Sequence, residues 1–155
     1  MAQVADVAAY ILDKCGRMTA MKLQKLTYYS QAWHLVWENG RLFEESIEAW
    51  ANGPVVRELY NLHRGRFSLS GPEEIPAGDS SKLTDQERAT IDVVLNAYGD
   101  KDAHWLSELT HNEDPWRKAR ERADLGERDR GNAVISLDSM IEYYDGLTSA
   151  DAEAL

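Results

Sequence analysis

Apolar residues in the N-terminal quarter of the chain recur at helical spacing. In residues 4–15 they are separated by steps of three and four, which predicts an amphipathic helix that stops at Gly16. The next run, MKLQKLTYYSQAWHLVW at 21–37, has apolar or aromatic residues around most of a helical circumference. A helix that is apolar nearly all round is usually central in a bundle. The pattern therefore predicts that the second helix is the buried spine of the fold.

The two ends of this spine are marked by cap-forming residues. Thr19 is a suitable N-cap, and Asn39-Gly40 is a suitable end. Lys22 and Lys25 are expected to mark an exposed first turn.

Short β-type segments and a turn follow the spine. Residues 42–50 mix β-branched, aromatic and polar residues, which indicates one short strand. Residues 52–54 indicate a turn, and Pro54 suits the first position of a helix that runs to His63. Residues 133–135 are short and partly β-branched, and they are candidates to pair with the segment around Ile47 in a minimal sheet.

The remaining chain predicts one long loop and four more helices. A solvated connection within one domain is predicted at residues 68–82, SLSGPEEIPAGDSSK. Thr84 and Glu87 form a capping box that opens a helix. Three further helices are expected around Trp105, after Asp114-Pro115 and after Ser136.

Together these elements predict a mainly α fold. It is a compact bundle of about six to seven helices around a central apolar helix, with room for a minimal two-stranded β element. Residues 1–147 are expected to form a single domain that includes the loop at 68–82, and residues 148–155 a disordered acidic tail. The mixed-charge stretch at 113–130 is expected to be a solvated surface.

Charge and cysteine content narrow the function classes. The 155 residues include 27 acids and 17 bases, for a formal net charge of −10. This balance disfavours nucleic-acid binding, because that binding needs Lys and Arg against phosphates. Cys15 is the one cysteine, so neither an intrachain disulfide nor a Cys-rich zinc site is predicted, and a small buried thiol is expected. With neither a basic leader nor a long apolar run, a soluble, cytoplasmic protein without membrane contact is expected.

The histidines offer little catalytic chemistry. None of the four has a paired metal-ligand spacing, and no nucleotide or hydrolase motif is present, so neither a metal nor a cofactor is predicted. His34 is interpreted as a hydrogen-bonded residue at the core or its rim. His111, near Glu113 and Asp114, is the best acid–base candidate. The alternative is that residues 110–112 satisfy backbone groups at a helix end.

Five tryptophans are a notable excess for this length. Trp33 is expected in the core. Three others lie beside turns or caps, where partial exposure is easier, and tryptophan is enriched among interface hot spots. The residues predicted to contact a partner are Trp50, Asn52, Trp105, His111 and Trp116.

Four ordered blocks resemble the Panacea domain, the antitoxin domain of SocA-type and GepA-like prophage-associated proteins. They are MTAMKLQKLTYYSQAWHLVW, IEAWANGPVVRELY, LSELTHNEDPWRKAR and GNAVISLDSMIEYY. The resemblance covers most of the chain from about Val4 to Tyr144, and leaves out the loop at 68–82 and the acidic tail. Asn52, just before Gly53-Pro54, is interpreted as a local variation.

The resemblance implies a mostly helical antitoxin that neutralises a protein toxin encoded by an adjacent gene through direct contact. It implies, as an alternative, an adaptor that delivers the toxin to a ClpXP-type protease. It implies no catalysis of its own and assigns no contact residues. A rival hypothesis from another class is a small hydrolase or transferase that uses His111, for which the sequence offers no oriented nucleophile. The toxin's identity and the oligomeric state are left open.

Overall fold

Seven α-helices and four short strands form the structure, a computed structural model that describes residues 1–154. Two short 3₁₀ turns, Pro72–Glu74 and Ser80–Lys82, interrupt the connection before the fourth helix. In chain order the elements are α1 (Val4–Cys15), β1 (Met18–Thr19), α2 (Ala20–Glu38), β2 (Ile47–Trp50), β3 (Gly53–Val56), α3 (Arg57–His63), β4 (Ser68–Leu69), α4 (Asp85–Tyr98), α5 (Ala103–His111), α6 (Asp114–Arg122) and α7 (Leu137–Ala154). The predicted mainly α class is confirmed.

Helix α2 is the spine around which the other elements pack. The Thr19 side chain accepts a hydrogen bond from the Lys22 backbone N–H at 3.1 Å, and Asn39 ends the helix in the left-handed conformation. Helices α1, α4, α5 and α7 and strand β3 all contact α2. Leu23 and Leu26 are fully buried on it. The prediction of a buried central helix is confirmed.

Lys25 corrects the expectation of an exposed first turn. Its side chain is only 1% exposed, although Lys22 three residues earlier is half-buried. The reason is long-range, because strand β3 packs over this part of α2. Helical periodicity alone does not indicate that a distant segment buries Lys25.

Strands β2 and β3 form an antiparallel hairpin, which corrects the predicted helix start at Pro54. Ala49 pairs with Pro54 and Trp50 with Gly53, so residues 53–56 are extended and α3 begins only at Arg57. Gly53 has a φ of 124°, which an α-helix does not allow. The turn predicted at 52–54 therefore lies one step earlier, at Ala51-Asn52.

The predicted pairing between residues 133–135 and the Ile47 segment is confirmed. Glu48 and Val134 form an antiparallel bridge. The Ala49 N–H donates to the Ala133 carbonyl at 2.7 Å, and the Ile135 N–H donates to the Ile47 carbonyl at 2.8 Å. The segment around 130–134 is thereby fixed against the open edge of β2.

The connection at 68–82 is packed, not solvated throughout. Leu69 and Ile75 are fully buried, and β4 pairs with β1. Gly78 lies against the Ala5 backbone, where a Cβ would collide with the Ala5 carbonyl. These buried side chains are single apolar residues in a polar sequence, so no periodicity revealed them.

Three further details concern the ends of helices. The capping box of Thr84 and Glu87 is confirmed at the start of α4. Cys15 is exposed at the end of α1, which corrects the expected buried thiol. Helix α7 extends to Ala154. The disordered acidic tail expected at 148–155 overlaps the end of this helix and stays a prediction, and Leu155 lies outside the described residues. Within residues 1–154, no helix combines the length and apolarity that crossing a bilayer would require.

A buried hydrogen-bonded cluster joins α2, α7 and Glu113, the N-cap residue of α6. The hydroxyls of Tyr29 and Tyr144 both donate to Glu113 Oε1, at 2.7 and 2.8 Å, and Tyr28 lies 2.9 Å from the Tyr144 hydroxyl. Burial raises the pKa of the Glu113 carboxyl, and the two hydroxyl donors oppose that rise. One carboxylate oxygen thus satisfies two buried phenols.

Removing that acceptor is expected to destabilise the fold. Glu113→Ala leaves two buried hydroxyls without their acceptor, so the free energy of unfolding should fall by about 3 kcal/mol. Glu113→Gln retains a carbonyl oxygen that can accept both bonds and should lose at most about 1 kcal/mol. Urea unfolding measures both. Equal losses for the two variants would show that the shared acceptor is not what stabilises this cluster.

Candidate functional site

A cleft of about 720 Å³ opens over the first turns of α2. Its walls come from α2, the β2–β3 hairpin, α3 and the segment at 130–132. The lining residues are Ala20, Met21, Gln24, Lys25, Trp50, Ala51, Asn52, Val55, Arg57, Tyr60, His63, Arg130, Gly131 and Asn132. The volume lies within the usual range for a binding pocket.

The charge of the cleft is opposite to that of the whole protein. Lys25, Arg57 and Arg130 line it, and no Asp or Glu does among the residues that the structure describes. The nearest carboxylate on the hairpin, Glu48, pairs with Arg57 at 3.0 Å. A chain of formal charge −10 therefore presents a basic cleft.

Lys25 lies beneath the hairpin at the inner wall. Its Nζ donates to the Pro54 carbonyl at 3.2 Å. Burial lowers the pKa of its amine from 10.5 to about 7, because the charged form loses its hydration. The stem of Lys25 passes so close to Gly53 that a Cβ there would come within 2.5 Å of Lys25 Cε. Glycine at 53 is therefore required both by its backbone conformation and by this side chain.

Gln24 and His63 form the second buried polar contact of the cleft. The Val56 N–H donates to Gln24 Oε1 at 2.9 Å, which fixes the amide orientation. Gln24 Nε2 must then donate to His63 Nε2 at 3.0 Å, so this ring nitrogen is an acceptor and the ring is neutral. Burial and the nearby Lys25 lower the pKa of His63, in agreement with that assignment.

An aromatic pair forms one wall. The rings of Trp50 and Tyr60 meet edge-on at 5.0 Å between centroids, and the Arg57 guanidinium lies 5.4 Å from the Trp50 ring. Both rings are half-buried, so each keeps part of its surface toward the cleft. Such a wall suits contact with apolar atoms of a ligand.

Helix α6 supports the cleft from behind. The Trp116 indole N–H donates to the Trp50 carbonyl at 2.7 Å. The buried Arg120 donates to the carbonyls of Ala49 and Gly126, at 2.8 and 2.7 Å. Arg120 therefore ties the hairpin to the chain segment that continues to Arg130 at the rim.

The five residues predicted to contact a partner are not all in one place. Trp50 and Asn52 line the cleft. Trp116 is only 5% exposed, which corrects its expected exposure, and it stacks on His111 at 4.1 Å between centroids. Trp105 is 45% exposed on α5, with Lys101 over its ring, and does not line the cleft.

The predicted acid–base group around His111 is not assembled. The Glu113 side chain accepts hydrogen bonds within the tyrosine cluster, and Asp114 forms an ion pair with Lys118 at 3.5 Å. Burial lowers the pKa of His111. Its neighbours Thr110 and Asn112 hydrogen-bond carbonyls of α5, as the alternative interpretation of this helix end expected.

Two other interpretations concern single residues. His34 Nδ1 lies 2.7 Å from the Gly40 carbonyl, which confirms it as a hydrogen-bonded residue near the core rim. Trp33 is partly buried against the core and stacks on Trp37, which is 42% exposed. Within residues 1–154, no group of three or more His, Cys, Asp or Glu side chains is arranged to hold a metal ion.

Sequence reasoning missed most of the cleft. Gln24, Lys25, Arg57 and His63 come from separate segments, and only the fold brings them together. One signal was available: Gln24 and Lys25 are adjacent polar residues in a helix that has apolar or aromatic residues around most of its circumference. Polar residues that remain buried in such a helix need partners, and their partners lie in the hairpin and α3.

Fold and site define a mainly helical domain with a basic cleft over its central helix. The family model described as Antitoxin SocA-like, Panacea domain matches residues 23–117, more than half of the 155 residues. The chain therefore belongs to the SocA-like Panacea domain family, as its sequence blocks indicated. The family supports an antitoxin role, suggests a non-enzymatic one and implies a toxin partner in general. Neither the curated proteins nor the solved structures gave a match.

Gly53→Ala is expected to destabilise the hairpin. Alanine at position 53 would have an unfavourable φ, and its Cβ would collide with Lys25 Cε. The free energy of unfolding should therefore fall by about 2 kcal/mol. Gly40→Ala is the matched control, since its Cβ meets nothing closer than 3.9 Å. Urea unfolding of both variants is the measurement. A Gly53→Ala protein as stable as the control would contradict the packing described for Lys25.

The lowered pKa of Lys25 predicts how stability depends on pH. Between pH 7 and 10.5 the unfolded chain binds a proton at this amine that the folded chain does not. The wild type should therefore gain stability relative to Lys25→Met, by about 1.4 kcal/mol for each pH unit in that window. Below pH 7 the difference should be constant, with Lys25→Met the more stable protein.

Denaturant unfolding at pH 6, 7, 8 and 9 measures this difference. Lys118→Met is the matched control, because it removes the same formal charge at an exposed site. If the free energy of unfolding changed equally with pH in wild type and Lys25→Met across the whole range, a buried Lys25 amine with a lowered pKa would be contradicted.

Proposed function

We propose that this protein neutralises a cognate protein toxin by direct binding, and that the face around the cleft is the binding surface. The cleft carries this proposal: it is the place where an acidic protein gathers basic and aromatic side chains around a concavity. Concave sites with a few polar groups and aromatic walls are the usual form of a recognition site.

The cleft also has the rigidity that tight association requires. Gln24 and Lys25 reach from the spine helix to the hairpin, and Trp116 and Arg120 hold the hairpin from behind. A surface fixed in this way loses little conformational freedom on binding. The acidic exterior would speed encounter with a basic toxin, while the cleft would fix its orientation.

The action proposed is binding without catalysis. Titratable side chains with shifted pKa values are held in structural contacts: Tyr10 donates to Asp92, Tyr29 donates to Glu113, and Lys25 donates to the Pro54 carbonyl. The rival enzyme hypothesis rests on His111, whose ring stacks on Trp116 and hydrogen-bonds neither Glu113 nor Asp114 among the described contacts. We propose that neutralisation follows from covering the toxin or locking it in an inactive conformation.

Co-expression with the product of the adjacent gene tests this proposal. Met21→Glu places a charge at the cleft, where Met21 is 40% exposed; Val93→Glu is the matched control, with an apolar side chain 53% exposed on α4 and outside the cleft. Wild type and Val93→Glu should restore growth. Met21→Glu should bind the toxin about tenfold or more weakly, a loss of at least about 1.4 kcal/mol, and fail to restore growth.

The readouts are growth, calorimetric affinity and unfolding stability. Both substitutions are at exposed helix positions, so each should change stability by no more than about 0.5 kcal/mol. Equal rescue by the two variants, or no binding to the adjacent gene product, would contradict the proposal. Toxin abundance distinguishes occlusion from proteolytic delivery. A toxin that stays abundant but inactive supports occlusion. A toxin half-life that is shortened only when a ClpXP-type protease is present supports the adaptor alternative.

A further inference from the structure

We propose that the cleft receives a carboxylate side chain from an acidic segment of the partner polypeptide, with the Lys25 ammonium as its counter-ion. The inference rests on the proposed function and adds the chemistry of the segment that docks. Three observations carry it: an amine with spare donors, the charge around that amine, and the shape of the cleft.

The first observation is that Lys25 has unused donors. An ammonium carries three N–H groups, and among residues 1–154 the Pro54 carbonyl is the one acceptor within hydrogen-bond distance of Nζ. The side chain is 1% exposed and lines the cleft. A buried ammonium with two unused donors is costly by itself, and an incoming oxygen ligand would remove that cost.

The second observation is the absence of a compensating acid around Lys25 in the described chain. The shift of its pKa has burial as its one cause, with no contribution from a carboxylate. The charged or titratable neighbours are themselves bases: His63 from α3 and His111 from α5, whose pKa values Lys25 helps to lower. Arg130 adds positive charge at the rim, where the charges of Arg57 and Glu48 balance each other in their ion pair.

The third observation is the shape and composition of the walls. The half-buried rings of Trp50 and Tyr60 and the exposed side chain of Met21 provide apolar surface beside the amine. A peptide can therefore place an aliphatic stem against these groups while its carboxylate reaches Lys25. Apolar walls also strengthen the ion pair, because they exclude water from it. These features select a glutamate or aspartate flanked by apolar residues over a free inorganic anion.

Two neutralised peptides test the inference directly. Ac-Ala-Leu-Glu-Leu-Ala-NH₂ and its glutamine counterpart differ only in the carboxylate. Titrated into the ¹⁵N-labelled full chain at pH 7, the glutamate peptide should bind about tenfold more tightly, the range expected for a desolvated charge pair. Its largest shifts should fall on Gly53 and the Trp50 indole. Inorganic phosphate is a third probe, included to test for general anion binding.

Lys25→Met removes the amine and retains a stem of similar length, and Lys22→Met is the matched control on the same helix outside the cleft. The preference for glutamate should disappear in Lys25→Met and persist in Lys22→Met. Between pH 7 and 9 the wild type should also lose its preference progressively, because an anion binds only the protonated amine. Over this range both histidines, with pKa values lowered from 6.5, are already neutral, so the change reports Lys25.

Each outcome decides the question. A glutamate preference that depends on Lys25 and on pH supports the inference. Equal binding of the two peptides, a preference that survives in Lys25→Met, or Lys25-dependent binding of phosphate alone would overturn it. If the peptide preference fails while wild type still restores growth in co-expression, the proposed function stands without this chemistry. If the peptide binds as described but no toxin is neutralised, the proposed function fails instead.

Discussion

The contact between the Lys25 side chain and the β2–β3 hairpin is the constraint on which the site depends. The lysine emerges from the spine helix, passes against Gly53 and donates to Pro54. One lysine thereby fixes how the hairpin lies on the helix, at the cost of burying a charge. Gln24 repeats the same bridge one residue earlier, through both backbone groups of Val56. The cleft exists because these two side chains hold its floor and wall together.

The packed core and the proposed binding surface lie in different parts of the molecule. The tyrosine cluster around Glu113 and the apolar face of α1 complete the core on the other sides of the spine. On the hairpin side, the buried Lys25 amine has the Pro54 carbonyl as its one acceptor among residues 1–154. Such a division is expected of a binding domain, because the groups that make a site useful are those that packing does not fully satisfy.

The sequence was sufficient to predict the structural elements that depend on local periodicity and helix capping. It indicated the spine helix with its Thr19 cap, the capping box at Thr84 and the strand pairing near Ile47. It was insufficient where a distant element covers a residue. Lys25 has the local pattern of an exposed lysine and becomes buried only because residues 29 positions later fold over it. Pro54 likewise suits a helix start, and the pairing with Ala49 makes it part of a strand.

The structural basis of the proposed site depends on the ionisation of the Lys25 amine. NMR titration of the Lys25 side chain in the free protein, resolved by comparison with Lys25→Met, measures it without any partner. A midpoint near 7 is expected, because the amine is buried without a carboxylate beside it. A midpoint near 10, the value of a solvated lysine, would show that the side chain is hydrated or paired and would contradict the structural basis of the site.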